Sequence, residues 1–164
     1  MTAAEIKEVL GLVPHPREGG WFVRTYESDE RIVETERYAG PRLTGTAIYY
    51  LLEPGTFSEM HRLKSDEVFH FYAGDAVEQL QLVPGGAGRR VVLGMDLAGG
   101  ERPQVVVPRG VWQGARLVEG GAWALMGCTV SPGFEFEDYE DCGAEELVAE
   151  WPEFEGTIRG LTRR

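Results

Sequence analysis

The chain has 164 residues, an apolar fraction of 43% and a net charge of −11. That length suits one domain spanning residues 1–164, and a chain of this size buries roughly 68–70% of the surface it exposes when unfolded. Residues 135–155 carry ten acidic side chains and no basic one, and the sequence has no Lys/Arg run of the kind a phosphate backbone or an anionic membrane attracts, so neither nucleic acid nor membrane is an expected partner.

In chain order, residues 2–10 predict a short helix. Thr2 and Glu5 form a capping box, Ile6, Val9 and Leu10 share a face, and Gly11 is the stop. No basic segment precedes an apolar run at this end, and no apolar run reaches the ~20 residues of a membrane span. The two cysteines, Cys128 and Cys142, lack redox or zinc spacing. Together these lead us to expect a cytoplasmic protein with reduced thiols.

Past His15 between two prolines, Trp21–Tyr26 reads as a strand. Further apolar runs follow at Leu43–Leu52, Glu67–Tyr72, Ala76–Val83, Arg90–Leu93, Gln104–Val107, Gln113–Val118 and Trp123–Val130, each bounded by Gly or Pro. Many short strands at close spacing predict an all-β sandwich or barrel. Ala144–Glu150 predicts one or two helical turns, and the acidic run around it reads as a solvated face. Gly85-Gly86-Ala87-Gly88 is a hairpin loop, because no Lys-Ser/Thr and no helix follow it.

The segment with the most chemistry is residues 55–74. His61 comes six positions after Gly55, Glu67 six after His61, and Gly74 seven after Glu67. This spacing resembles the first signature of the cupins, G-x5-H-x-H-x3-E-x6-G, with Leu63 in place of the second histidine. Pro108-Arg109-Gly110-Val111-Trp112-Gln113 is similar to the core of the second cupin signature, with Gln113 where a histidine ligand would stand.

Longer stretches resemble one subgroup, the fifth cupin type, a domain of unknown function. They are His15–Phe22, Thr46–Gly55, Met60–Gly74, Val107–Gln113 and Gly127–Phe136. The resemblance implies a double-stranded β-helix (jelly roll) with its core at about residues 20–135, a short N-terminal helix and minor C-terminal helical turns. It also implies a homodimer, and a pocket at one mouth of the barrel where His61, Glu67 and Gln113 converge. Function has to be argued from that pocket.

Three chemistries fit the residue types. A divalent metal ion would take His61, Glu67 and Gln113 as ligands. In metal-free acid–base catalysis on a carbohydrate-like or nucleotide-sugar-like substrate, His61 is the base, Glu67 orients it or acts as acid, and Tyr50 is a second proton donor. A binding module without turnover would use Trp112, Phe69, Phe71 and Leu63 to stack on a small ligand, with Gln113, His61 and Lys64 as polar contacts. The best single statement is a small-molecule-binding protein acting as a metal-free isomerase or epimerase. A metal-dependent oxygenase or lyase and a non-catalytic binder are the alternatives.

Alternation along Glu67–Tyr72 puts His70 on the face opposite Glu67, in a second layer or at an interface. Arg24 and Tyr26 are within reach of the pocket or a partner, His15 reads as loop architecture, and Cys128 as a buried core thiol.

Overall fold

A computed structural model describes residues 1–33 and 36–163. The chain runs through α1 (Ala3–Leu10), β1 (Val13–Pro14), β2 (Trp21–Glu27), β3 (Arg31–Ile32), β4 (Arg42–Leu43), β5 (Thr46–Leu52) and β6 (Phe57–Arg62). It continues through β7 (Asp66–Gly74), β8 (Val77–Leu82), β9 (Gly88–Leu93), β10 (Gln104–Val107), β11 (Trp112–Leu117) and β12 (Ala124–Ser131). After β13 (Glu140–Asp141) come α2 (Ala144–Glu150) and α3 (Glu155–Gly160).

Two antiparallel sheets dominate. One has six strands in the order β1-β2-β5-β12-β7-β10, the other five in the order β13-β6-β11-β8-β9. Their inner faces share one core that includes Tyr50, Leu52, Phe69, Val77, Leu93 and Met126. This is consistent with a cupin-like jelly roll, but no sheet closes on itself into a barrel. The sheets come nearest to joining between β9 and β10, where the Arg102 N–H donates to the Val92 carbonyl and the Phe71 N–H to the Pro103 carbonyl.

The first helix forms as its caps dictate. Thr2 and Glu5 exchange side-chain-to-backbone bonds, and Gly11 closes the helix in the left-handed conformation. The helix buries Ile6 on the outer face of the six-stranded sheet beside Leu12 and Leu51.

Two elements had no local signal. Strand β6, Phe-Ser-Glu-Met-His-Arg, lacks a β-rich composition and exists because β11 and β13 pair with it on either side. Helix α3, with α2, roofs the outer face of the five-stranded sheet. Leu147, Trp151, Ile158 and Leu161 pack there on Met60, Leu80, Leu82 and Trp112. Each fully buried side chain of this size contributes about 1.5–3 kcal/mol.

The acidic run is therefore only partly a solvated face. Glu145, Glu146 and Glu150 stay outside, whereas Asp138 is buried and accepts two bonds from the buried Arg42 guanidinium at 2.8 and 2.9 Å. Among the described residues, no helix is long and apolar enough to cross a membrane.

Candidate functional site

Between the sheets lies a cavity of about 30 Å³, room for roughly two water molecules. His61 and Leu63 line it from one sheet and its following turn. Glu67, Ile48, Cys128 and Val130 line it from the other, and His15, Glu18, Arg24 and Phe134 border it. His61 and Glu67 thus face the same space, as the sequence spacing implies.

His61 is 1% exposed. Its Nδ1 lies 2.7 Å from the Glu59 carbonyl oxygen, which can only accept a hydrogen bond. The neutral ring therefore keeps its proton on Nδ1 and its lone pair on Nε2, which has no hydrogen-bond partner among the described residues. The Tyr139 ring stacks on the imidazole, with centroids 4.8 Å apart and planes 13° from parallel. The Tyr139 hydroxyl, shielded from solvent, also has no hydrogen-bond partner among the described residues.

Glu67 has the opposite character. Burial, and then the nearby Glu18 carboxylate, push its carboxyl up to about 8, although the Gln113 amide and the Cys128 thiol both donate to it. Near neutral pH it is largely a protonated acid. The Gln113 amide nitrogen donates to Oε2 at 2.7 Å, which leaves Oε1 to carry the proton.

Behind Gln113 runs a polar row along the inner face of the five-stranded sheet. His61, Gln113, Gln81 and Arg89 are cross-strand neighbours on β6, β11, β8 and β9. The Arg89 guanidinium donates to the Gln81 oxygen at 2.7 and 3.0 Å. The Gln81 amide donates to Gln79 at 2.8 Å, and Gln79 faces the Gln113 oxygen at a looser 3.5 Å. Every donor points the same way, from the cation toward Glu67.

His15 and Glu18 are the residues that local reasoning missed. His15 is not mere loop architecture: its buried ring accepts the Glu18 N–H on Nδ1 at 2.8 Å and sets Nε2 3.9 Å from a Glu18 oxygen. Burial holds its pKa below the ordinary histidine value. Glu18 reaches the cavity because Gly19 and Gly20 both take positive φ, 97° and 68°. A Cβ on Gly19 would stand 2.5 Å from the Phe57 carbonyl, so the chain passes here only as glycine. Both residues belong to the His15–Phe22 motif, which was the available signal.

Several expected site residues lie elsewhere. Tyr50 is fully buried, donates to the Gly19 carbonyl at 2.8 Å and does not line the cavity. Trp112 packs on the far face of its sheet against the helical roof, because successive strand residues alternate and Gln113 faces inward. Phe69 and Phe71 share the inner face with Glu67 but pack in the core without bordering the cavity. Gln113 touches Glu67 from behind. Lys64 borders a separate groove, with Leu63 as the wall common to both spaces.

His70 points away from Glu67, as alternation requires, and sits between Thr129 and Gln104 at 3.2 and 3.3 Å. Arg24 borders the cavity while Tyr26 is exposed. Cys128 is indeed buried, and it also lines the cavity.

The donor set does not fit a cupin metal centre. Leu63 supplies no ligand atom, Gln113 turns its N–H₂ rather than its oxygen toward Glu67, and Glu67 is held protonated. Among the described residues, no group of three or more His, Cys, Asp or Glu side chains is placed to hold a metal ion.

Known proteins share this arrangement of chain. The uncharacterized protein YML079W of Saccharomyces cerevisiae is 30% identical over 139 residues, covering 78% of this chain and 69% of that one. The structure of protein SO0799 from Shewanella oneidensis superposes with a TM-score of 0.88 at 35% identity, over 99% of this chain and 98% of the other. A hypothetical protein from Leishmania major gives 0.91 at 30% identity over the full length of both. The family model described as Cupin superfamily (DUF985) matches residues 4–141. Its span takes in every residue that borders the cavity, and the chain belongs to that cupin family.

Proposed function

We propose that the protein binds a small polar carbonyl compound of carbohydrate-like character and moves a proton on it, as a metal-free isomerase or epimerase. One observation carries this reading: a carboxyl held protonated near neutral pH and an imidazole nitrogen with a free lone pair face one small cavity. A proton donor and a proton acceptor facing one space are what acid–base catalysis needs.

In the proposed step His61 Nε2 takes the proton from the carbon next to the carbonyl. Glu67 Oε1 gives its proton to the carbonyl oxygen, which forms an enediol. Glu67 is left as a carboxylate that keeps the Gln113 hydrogen bond, and His61 as an imidazolium. Return of the His61 proton to the neighbouring carbon, with Glu67 taking back a proton from the other enediol hydroxyl, isomerises the compound. If the enediol first turns its other face to His61, return to the same carbon epimerises it while Glu67 recovers the proton it gave. Leu63, Ile48 and Val130 keep water from competing for the intermediate.

The test is deuterium incorporation from D2O into a panel of aldoses, ketoses and their phosphate esters, followed by NMR. We expect exchange at the carbon next to the carbonyl, reduced about a hundredfold or more in His61→Gln and in Glu67→Gln. A ligand that binds in the cavity and shows no exchange would make the protein a non-catalytic binder and sink the catalytic reading.

A further inference from the structure

We infer that the groove beside the cavity is the seat of a phosphate or diphosphate group, so that the ligand is a phosphorylated small molecule. This rests on the proton-transfer reading only in taking the cavity as the place where the reactive carbon sits.

Size is the first argument. The cavity has about 30 Å³ and the adjoining groove about 330 Å³, and ligand pockets generally run from ~300 Å³ upward. Leu63 borders both spaces. In this proposal a molecule that presents one carbon to His61 passes Leu63, the wall shared by the two spaces, and leaves its remaining bulk in the groove.

Charge is the second. In a chain of net charge −11, this groove gathers Arg37, Arg62, Lys64 and Arg109 against two acids, Asp138 and Glu140. Both acids are already engaged. Asp138 is held by buried Arg42, and Glu140 takes the Arg62 guanidinium, whose Nε donates at 2.9 Å.

Among the described residues the other three cations have at most one loose ion pair between them. Lys64 is 3.9 Å from its nearest carboxylate oxygen. Among the described residues Arg37 meets the Tyr38 hydroxyl at 3.3 Å, the Lys64 carbonyl at 3.5 Å and the face of the Tyr38 ring at 5.4 Å, none of them a counter-charge. Arg109 makes no side-chain hydrogen bond or ion pair among the described residues, while its backbone N–H is tied to Asp66 at 2.8 Å.

Three exposed cations with no tight counter-charge among the described residues line this roomy groove beside the cavity. Guanidinium groups match phosphate oxygens in pairs, and the ammonium adds a point charge. The local positive field also steers anions inward past the repulsion of the whole chain.

The experiment is calorimetric titration of the intact protein with inorganic pyrophosphate at low ionic strength. We expect saturable binding, weakened about tenfold in Lys64→Ala and again in Arg109→Ala, each the equivalent of one lost charge-assisted contact. Arg102→Ala, an exposed arginine outside the groove, should bind as the parent does. Absence of binding, or equal binding by the parent and the Lys64→Ala/Arg109→Ala double variant, overturns the inference.

The two readings fail separately. Deuterium exchange that runs as fast on an unphosphorylated sugar as on its phosphate ester removes the phosphate seat and leaves the proton-transfer reading standing. Phosphate esters that bind through Lys64 and Arg109 without exchange do the reverse.

Discussion

Gln113 donates its amide hydrogen to Glu67 Oε2 at 2.7 Å from the position directly opposite His61 on the neighbouring strand. His61 and Gln113 are thus rungs of one ladder, and Glu67 reaches in from the other sheet. A change at Gln113 should therefore be read at Glu67. Replacing Gln113 by Leu removes a donor that favours the charged carboxyl, so the Glu67 pKa should rise further. It also leaves buried polar atoms unpaired, at about 1–3 kcal/mol. Carboxyl infrared titration and urea denaturation would check the two effects.

Glu67 makes stability depend on pH in an unusual direction. Its folded-state pKa, pushed up to about 8, exceeds the unfolded value of 4.5, so between those limits the folded protein holds more protons than the unfolded chain. The contribution is fully present below the unfolded value and is lost as pH rises through about 8. Glu67→Gln should flatten the curve across this window and gain on the parent above it, by on the order of a few kcal/mol. Denaturation midpoints measured across that range decide it, and parallel curves would refute the assignment.

The aligned amides predict action at a distance. Arg89→Met should raise the Glu67 pKa although Arg89 touches only Gln81 in the row. Gln81→Leu should do the same and destabilise by about 1–3 kcal/mol, because it orphans both neighbours. Arg89→Lys should restore part of the shift. A Glu67 titration that ignores all three substitutions would show the row to be packing alone.

Donor chemistry can be restored deliberately. The double variant Leu63→His/Gln113→His places imidazoles at the two positions where this chain departs from the cupin signatures. It should take up one Co²⁺ or Ni²⁺ per chain at least tenfold more tightly than the parent. Elemental analysis after dialysis checks this, and equal uptake by the parent would refute the donor argument.

Gly19 sets how Glu18 enters. Gly19→Ala should destabilise by about 1–3 kcal/mol through backbone strain and the approach to the Phe57 carbonyl. The displaced Glu18 carboxylate should let the Glu67 pKa fall toward the ordinary range, readable by the same infrared titration.

How much of this was legible depended on whether the signal was local. The capping box of α1 and the apolar runs that became β2, β5, β7, β8, β10, β11 and β12 were readable from spacing and breakers. The outward face of His70 followed from alternation alone. The same rule should have separated Trp112 from Gln113, and grouping them by motif hid it. Strand β6 was not readable, because the composition of Phe57–Arg62 is redeemed only by partners fifty and eighty residues away. Glu18 and His15 were hidden because loops between prolines and glycines carry no periodicity, and only the closed structure brings them to His61.

The thiol of Cys128 gives the molecule a gauge of its own. It is 3% exposed, faces the small cavity, and burial with the neighbouring carboxyls pushes its pKa well above the ordinary thiol value. Cys142 stands half-buried at the edge of a separate surface groove, pushed up only to about 11. A thiol reagent should therefore mark Cys142 first and Cys128 only as fast as the sheets part. The ratio of the two labelling rates becomes a clock for how often the interior admits a guest, and any genuine ligand of the cavity should slow it.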